Sequence, residues 1–199
     1  MNASLPTFGD VHLTFDDGPD PTWTPRCLEH LARANAHATF FVIGANAVRQ
    51  RNLVRRIAAA GHAVGNHTLT HAHPWTVNAR RARAEVRDGA AAIADVLGFE
   101  AKLFRPPHGA RRRCMLEEAQ AQGESLVMWD ISAIDWGWLG TAPRIAKRLG
   151  RVKAGNIILM HDGANKHNRP DQLLRVLPSF LKEISTEERF GMRVAAKKE

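Results

Sequence analysis

The chain has 199 residues, 44% of them hydrophobic and 24% charged, with a formal net charge of +8. One domain over 1–199 is the simplest organisation for that length, and no apolar run approaches the roughly 20 residues that cross a bilayer, so no membrane partner is expected. The two cysteines, Cys27 and Cys114, form no CxxC pair; a disulfide scaffold is excluded and free thiols in a reducing compartment are expected.

The opening segment MNASLPTFGD has neither a basic start nor an apolar centre, so no secretory signal is read and a cytoplasmic protein is expected. Short β-rich runs then alternate with helix-like stretches. VHLTF (11–15) is the first strand candidate. TPRCLEHLARA follows as a helix, with Thr24 as N-cap, Pro25 at the first helical position, and Cys27, Leu28 and Leu31 buried. ATFFVI (38–43) is apolar on both faces, as a parallel strand must be. NLVRRIAAAG sets Leu53, Val54, Ile57 and Ala58 on one helical stripe and stops at Gly61. HAVGN (62–66) is a strand, EVRDGAAAIADVLG a helix ending at Gly98, and KLF (102–104), SLVMW (125–129) and NIILM (156–160) are further strands. A helix is expected across 171–184, kinked or divided by Pro178, with MRVA (192–195) as the seventh strand and a frayed AAKKE end. Strands separated by helices imply parallel pairing, hence an α/β domain built on an open sheet or a barrel.

The positive charge raises the question of a nucleic-acid partner. It lies in RQRNLVRR (49–56), RRARAEVR (80–87) and RRR (111–113). In the first two, arginines alternate with Val, Leu and Ala at helical spacing, as on solvated helix faces. No aromatic-interleaved basic groove is present, so no nucleic-acid partner is expected.

The unusual polar residues follow the strands. Asp16 and Asp17 come after the first, NHTLTH after the third, RPPHG after the fourth, DISAIDW after the fifth and HDG after the sixth. In a parallel α/β fold all strand carboxyl ends lie on one side, where ligands bind. Five clusters therefore converge on one face. Adjacent acids repel unless a cation, a basic partner or water intervenes. His67 and His71, spaced i, i+4, would share one face of a helical turn and chelate one ion together with an acid. Zinc suits two nitrogens and one oxygen with positions left open; cobalt, manganese or iron accept similar ligands. The turn at Gly18-Pro19 lets both acids approach the site. One would ligate the ion, and the other would act as general base on water whose pKa the metal lowers from about 16 towards roughly 7. Arg105 would keep the free carboxylate ionised. His161 ends an apolar strand; with Asp135 accepting its ring N–H, it would serve as an imidazolium general acid. His12, His30, His37, His62, His73 and His167 have no such context and receive no role.

The motifs TFDDGP, HTLTH, RPPHG, DISAIDW and LMH resemble, in order and spacing, the five motifs of the polysaccharide deacetylases, the NodB-homology domain of carbohydrate esterase family four. The resemblance spans about residues 8–195. TFDDGPDPTWTP, ATFFVIG and GHAVGNHTLTH look especially like NodB-type chitooligosaccharide deacetylases. It implies a distorted (β/α) barrel, a divalent metal and hydrolysis of N-acetyl, sometimes O-acetyl, groups on an oligo- or polysaccharide. It further implies Asp16 as catalytic base, Asp17 with His67 and His71 on the metal, and Arg105 orienting Asp16. The backbone N–H of His108 would donate to the oxyanion. Trp136, Leu159 and Pro107 would wall the acetyl pocket, and His161, oriented by Asp135, would be the acid.

Two positions depart from the family pattern. His108 stands where Tyr is usual, in a chain that contains no Tyr, and Ser132 takes the first Asp position of D-x-x-D-W. Both bear on substrate recognition more than on chemistry. The expected substrate is a short chitin oligomer, handled by a monomer, with Trp23, Trp75 and Trp138 near the motif loops as sugar-stacking candidates. Peptidoglycan N-acetylglucosamine deacetylation and acetylxylan O-esterase activity are the alternatives. A non-catalytic carbohydrate-binding domain and a basic nucleic-acid-binding domain are alternatives of other classes.

Overall fold

The computed structural model describes residues 5–7 and 11–185. Among them, seven parallel strands form one sheet in the order β5-β4-β3-β2-β1-β7-β6, curled into a half-barrel with helices packed against it. The strands are β1 (His12–Asp16), β2 (Ala38–Val42), β3 (Ala63–Asn66), β4 (Leu103–Phe104), β5 (Ser125–Leu126), β6 (Ile131–Ser132) and β7 (Ile157–His161). The helices are α1 (Trp23–Arg33), α2 (Gly44–Arg49), α3 (Arg51–Ala59), α4 (Ala79–Leu97), α5 (Arg113–Ala121), α6 (Ala142–Leu149), α7 (Pro170–Leu173) and α8 (Leu177–Ser185).

The centre of the sheet is the most apolar part of the sequence. β2 is buried at all five positions, and Phe15 of β1 stacks on Phe40 of β2 with ring centroids 5.1 Å apart. Burying each such ring is worth about 1.5–3 kcal/mol. From β1 the strand order runs one way to β5, and β7 and β6 lie on the other side of β1. Such a reversal opens a crevice at the carboxyl ends of the flanking strands. The register places Asp16, the last residue of β1, directly beside His161, the last of β7.

Six of the expected strands are present. The run 192–195 lies outside the described residues, and the seventh strand observed is β6, within a stretch expected to be loop. The run 125–129 pairs as a strand only at Ser125 and Leu126, because the carbonyls of Val127 and Met128 accept from Arg105 instead. Thr24 does not cap α1. The Asp20 carboxylate accepts from the N–H groups of Thr22 (2.8 Å) and Trp23 (3.0 Å), while Thr24 is buried inside the helix with its hydroxyl on Asp162. The stops at Gly61 and Gly98 hold, both with a φ of 80°. The 171–184 helix is divided as expected, the break falling between α7 and α8 with Pro178 in the first turn of α8.

Candidate active site

The acid pair separates at the end of β1. Asp16 keeps the extended strand backbone and is 3% exposed, whereas Asp17 adopts a φ of 72° and swings into the crevice. Asp16 Oδ1 accepts from Arg105 at 2.8 Å. The Arg105 side chain is fully buried, and every nitrogen of its guanidinium is engaged: Nη1 also donates to Thr14 at 2.7 Å, Nε to the Val127 carbonyl at 3.1 Å and Nη2 to the Met128 carbonyl at 3.0 Å. The Phe41 ring lies 4.1 Å from its central carbon. A fully donated, desolvated guanidinium fixes the Asp16 carboxylate in place.

His67 follows β3. Its Nδ1–H points to the Arg105 carbonyl at 2.7 Å, which turns Nε2 toward the acids. The helical turn expected to bring in His71 is absent: residues 67–71 are a loop in which Thr68 and His71 have φ values of 69° and 60°. Hydrogen bonds within the loop and to α4 hold this backbone. Asn66 Oδ1 accepts from the Thr68 N–H (2.9 Å), the Thr68 hydroxyl from the His71 N–H (3.2 Å), and the buried Glu85 carboxylate of α4 from both the N–H and the hydroxyl of Thr70 (2.8 Å each). Arg81, one turn earlier on α4, neutralises Glu85 at 2.6 Å. Positive φ at non-glycine residues costs about 1–3 kcal/mol and persists where the surroundings over-determine it. Among the described residues, five of the six of this kind, Asp17, Thr68, His71, His108 and Ile134, lie in the loops around this crevice.

The result is a compact donor set. One ligand atom each from Asp17, His67 and His71 lies within 4.8 Å of the others, with Asp17 Oδ1 at 3.1 Å from His71 Nε2 and 3.4 Å from His67 Nε2. That oxygen is buried and has no hydrogen-bond partner among the described residues. Burial drives the Asp17 carboxyl up, but the neighbouring His67, His161 and His71 outweigh it and hold the group well below the usual carboxylate range. Burial and the positive charge of His67 push the His71 imidazole down to about 4, so its lone pair is free at neutral pH. An unsatisfied carboxylate oxygen, a neutral imidazole and a second imidazole anchored through its far nitrogen fit a divalent cation.

Across the crevice, Asp135 is fully buried and grips His161 twice, accepting from its backbone N–H and its Nδ1–H at 2.8 Å each. Burial disfavours the imidazolium, but Asp135, with Asp17 and Asp16 behind it, raises the His161 pKa to about 9. Trp136 stands edge-on to the His161 ring at 5.3 Å. Ser132, at the departed family position, accepts from the Ile134 N–H at 3.0 Å and so supports the turn that delivers Asp135.

Asp16, Asp17, His67, His71 and His161 line one cleft of about 340 Å³, together with Leu159, Trp136, Trp129, His108, Gly109, Asn165, His167 and Asn168. His108 has a φ of 56°, and its backbone N–H donates to no group among the described residues. Its ring packs on His71 (4.7 Å) and His73 (4.8 Å). Pro107, expected in the pocket wall, is buried and is not among the residues that line the cleft. Trp23 packs against the core under Arg26, away from the cleft, whereas Trp75 and Trp138 are 64% and 77% exposed. Trp129, His167, Asn165 and Asn168 were not singled out by sequence. Both asparagines sit within a few residues of HDG, which is the signal that could have drawn attention to them. Among the described residues, Cys27 and Cys114 are free, as expected.

Fold and donor set define the class: an α/β half-barrel with a candidate metal centre at the carboxyl ends of its strands. The family follows from comparison. The polysaccharide deacetylase profile matches residues 6–127, and the chain belongs to that family. It is 38% identical over 171 residues to a chitooligosaccharide deacetylase of Sinorhizobium fredii, covering 85% of this chain and 78% of that one. It is 34% identical over 173 residues to a peptidoglycan-N-acetylglucosamine deacetylase of Bacillus cereus, covering 86% of this chain but only 63% of the relative's length. A solved family 4 carbohydrate esterase from Streptomyces lividans, in complex with acetate, superposes with a TM-score of 0.79 at 32% identity, covering 89% of this chain and 88% of that one. No helix among the described residues is long and apolar enough to cross a membrane.

Proposed function

We propose that the protein is a metal-dependent hydrolase that removes N-acetyl groups from N-acetylglucosamine-containing saccharides, with chitooligosaccharides as its substrates. The observation that carries this reading is the convergence of Asp17, His67 and His71 within 4.8 Å, beside an Arg105-held Asp16 and an Asp135-held His161. Amide hydrolysis has three demands: an activated water, a stabilised oxyanion and a proton for a poor amine leaving group.

Asp17, His67 and His71 would hold a divalent ion, zinc by the nature of the donors, although the same set accepts cobalt, manganese or iron. Such an ion supplies Lewis acidity, lowering the pKa of a water from about 16 to roughly 7 and polarising a carbonyl. Asp16, fixed by Arg105, takes the proton of the attacking water. The free N–H of His108 donates to the developing oxyanion, a contact typically worth about 2.7–4 kcal/mol. Trp136 and Leu159 enclose the acetyl methyl. His161 as imidazolium passes its Nε2 proton to the departing nitrogen while Asp135 holds the other ring nitrogen. We read the protein as one domain and a cytoplasmic monomer.

The peptidoglycan reading is kept because of the Bacillus cereus relative. Acetate release from chitin oligomers, peptidoglycan fragments and acetylated xylan, each with zinc, cobalt or manganese and with a metal-free control, tests the proposal. Metal-dependent release from chitin oligomers in preference to the other two is expected. Release only from peptidoglycan would move the substrate, and no release from any of the three would leave a carbohydrate-binding role.

A further inference from the structure

The search for roles beyond this reading leads to the segment after β7. Asp17 has two carboxylate oxygens in different surroundings. Oδ1 faces the imidazoles of His67 and His71 and has no hydrogen bond. Oδ2 accepts from Asn168 Nδ2 at 2.7 Å and Asn165 Nδ2 at 3.2 Å.

The orientation of both amides is fixed by their other contacts. Asn165 Oδ1 accepts from the backbone N–H groups of His167 (2.7 Å) and Asn168 (2.9 Å), so its nitrogen must face Asp17. Asn168 Nδ2 spends its second proton on the Gly163 carbonyl at 3.0 Å, and two acceptors around one nitrogen leave no doubt which end is which. The clamp is seated on the site by main-chain contacts. Asn168 bridges Trp136, Asn46 donates to the Asp17 carbonyl at 3.0 Å, and Gly163 approaches Asp17 so closely that a Cβ there would lie 2.2 Å from the Asp17 carbonyl oxygen.

A carboxylate oxygen has two lone-pair directions available to donors. Two amide N–H groups on Oδ2 use both. We propose that Asn165 and Asn168 are positioning residues that cap Oδ2 of Asp17, so that this carboxylate offers one oxygen, Oδ1, to a bound divalent ion. The proposal rests on the metal-centre reading above and deepens it. Asn168 is the principal member, with the shorter bond and the second anchor.

The test is zinc affinity of the purified protein, measured by competition with a chromophoric chelator, for wild type, Asn168→Ala and Asn165→Ala. Removing a hydrogen-bond partner of a metal ligand typically costs 10–100-fold in affinity. We expect a loss in that range for Asn168→Ala and a smaller one for Asn165→Ala, with metal-free thermal unfolding unchanged. The visible spectrum of the cobalt-loaded protein is the second readout. A carboxylate freed to bind through both oxygens raises the coordination number, so the absorption of the Asn168→Ala variant should weaken. If Asn168→Ala does not fold, Asn168→Ser takes its place. Wild type that binds no zinc would overturn the metal centre itself. Wild-type binding with unchanged affinity and an unchanged cobalt spectrum in the variants would overturn only the clamp.

Discussion

Asp16 and Asp17 are adjacent in sequence, yet one is locked to a buried guanidinium and the other turns through a positive φ toward two imidazoles. That division predicts different outcomes on substitution. Asp16→Asn should lower turnover by roughly 10²–10⁴-fold while zinc stays bound. Loss of zinc in that variant, measured by metal analysis after dialysis, would exchange the roles of the two acids. His161→Ala should cost far more on N-acetyl substrates than on activated acetyl esters, whose leaving groups need no proton; equal losses on both would make His161 structural. If His161 is the general acid proposed above it works protonated, so activity should fall as pH rises through its pKa, about 9 in the metal-free protein. A cation on Asp17 cancels part of the field behind that value, so the descending limb of the loaded protein lies below it. Asp135→Asn removes the main support of the imidazolium and should move the limb to lower pH still, which a pH–rate profile would reveal.

At the scale of elements, the loop between β3 and α4 joins the histidine pair to the helix behind it. Gly89 of α4 lies so close that a Cβ would meet Asn66 Oδ1 at 2.6 Å and the Thr68 carbonyl carbon at 2.7 Å. Gly89→Ala should therefore destabilise the fold by about 1–3 kcal/mol and weaken zinc binding along with it, read by thermal unfolding and chelator competition. Behind the same loop, Asn66 donates to Glu124 at 3.0 Å, while the other Glu124 oxygen is buried without a partner, and burial raises that carboxyl to about 8. The unfolded chain ionises this group near its ordinary value, so the folded state holds the extra proton between about pH 4.5 and 8 and loses stability as pH climbs through that window. Glu124→Gln should thus raise Tm most at about pH 8 and above, and hardly at all near pH 4. The long buried strands were legible because β1, β2 and β7 are apolar runs bounded by turns. β6 was not, being two half-buried residues whose pairing depends on β7. The helical reading of His67 and His71 failed because their loop is shaped by Asn66 and Glu85, contacts that i, i+4 spacing does not encode.

Over the whole molecule, five polar clusters could be assigned to one face from strand order alone, before any side-chain contact was known. The asparagine clamp could not: nearness to HDG marks the loop, but the partner of both amides, Asp17, is about 150 positions away in sequence. Trp75 stands in the loop after β3 and Trp138 in the loop after β6, on either side of β1 in the strand order. Arg112 and Arg144 lie over their rings at 5.7 and 5.1 Å. If they receive the sugars flanking the reacting one, Trp75→Ala should raise KM for chitin oligomers about two- to tenfold, the equivalent of 0.5–1.5 kcal/mol, with kcat and small-ester turnover unchanged. A fall in small-ester turnover would place the ring in the chemistry instead.

Asp16 and His161 are rungs of one ladder, paired residue to residue between β1 and β7. The spacing between the proposed base and the proposed acid is thus inherited from the main-chain pairing of two neighbouring strands. Loops at the rim are free to lengthen, shorten or change their aromatic residues without retuning that distance, so a lineage built on this frame can trade one glycan for another while its reaction stays the same.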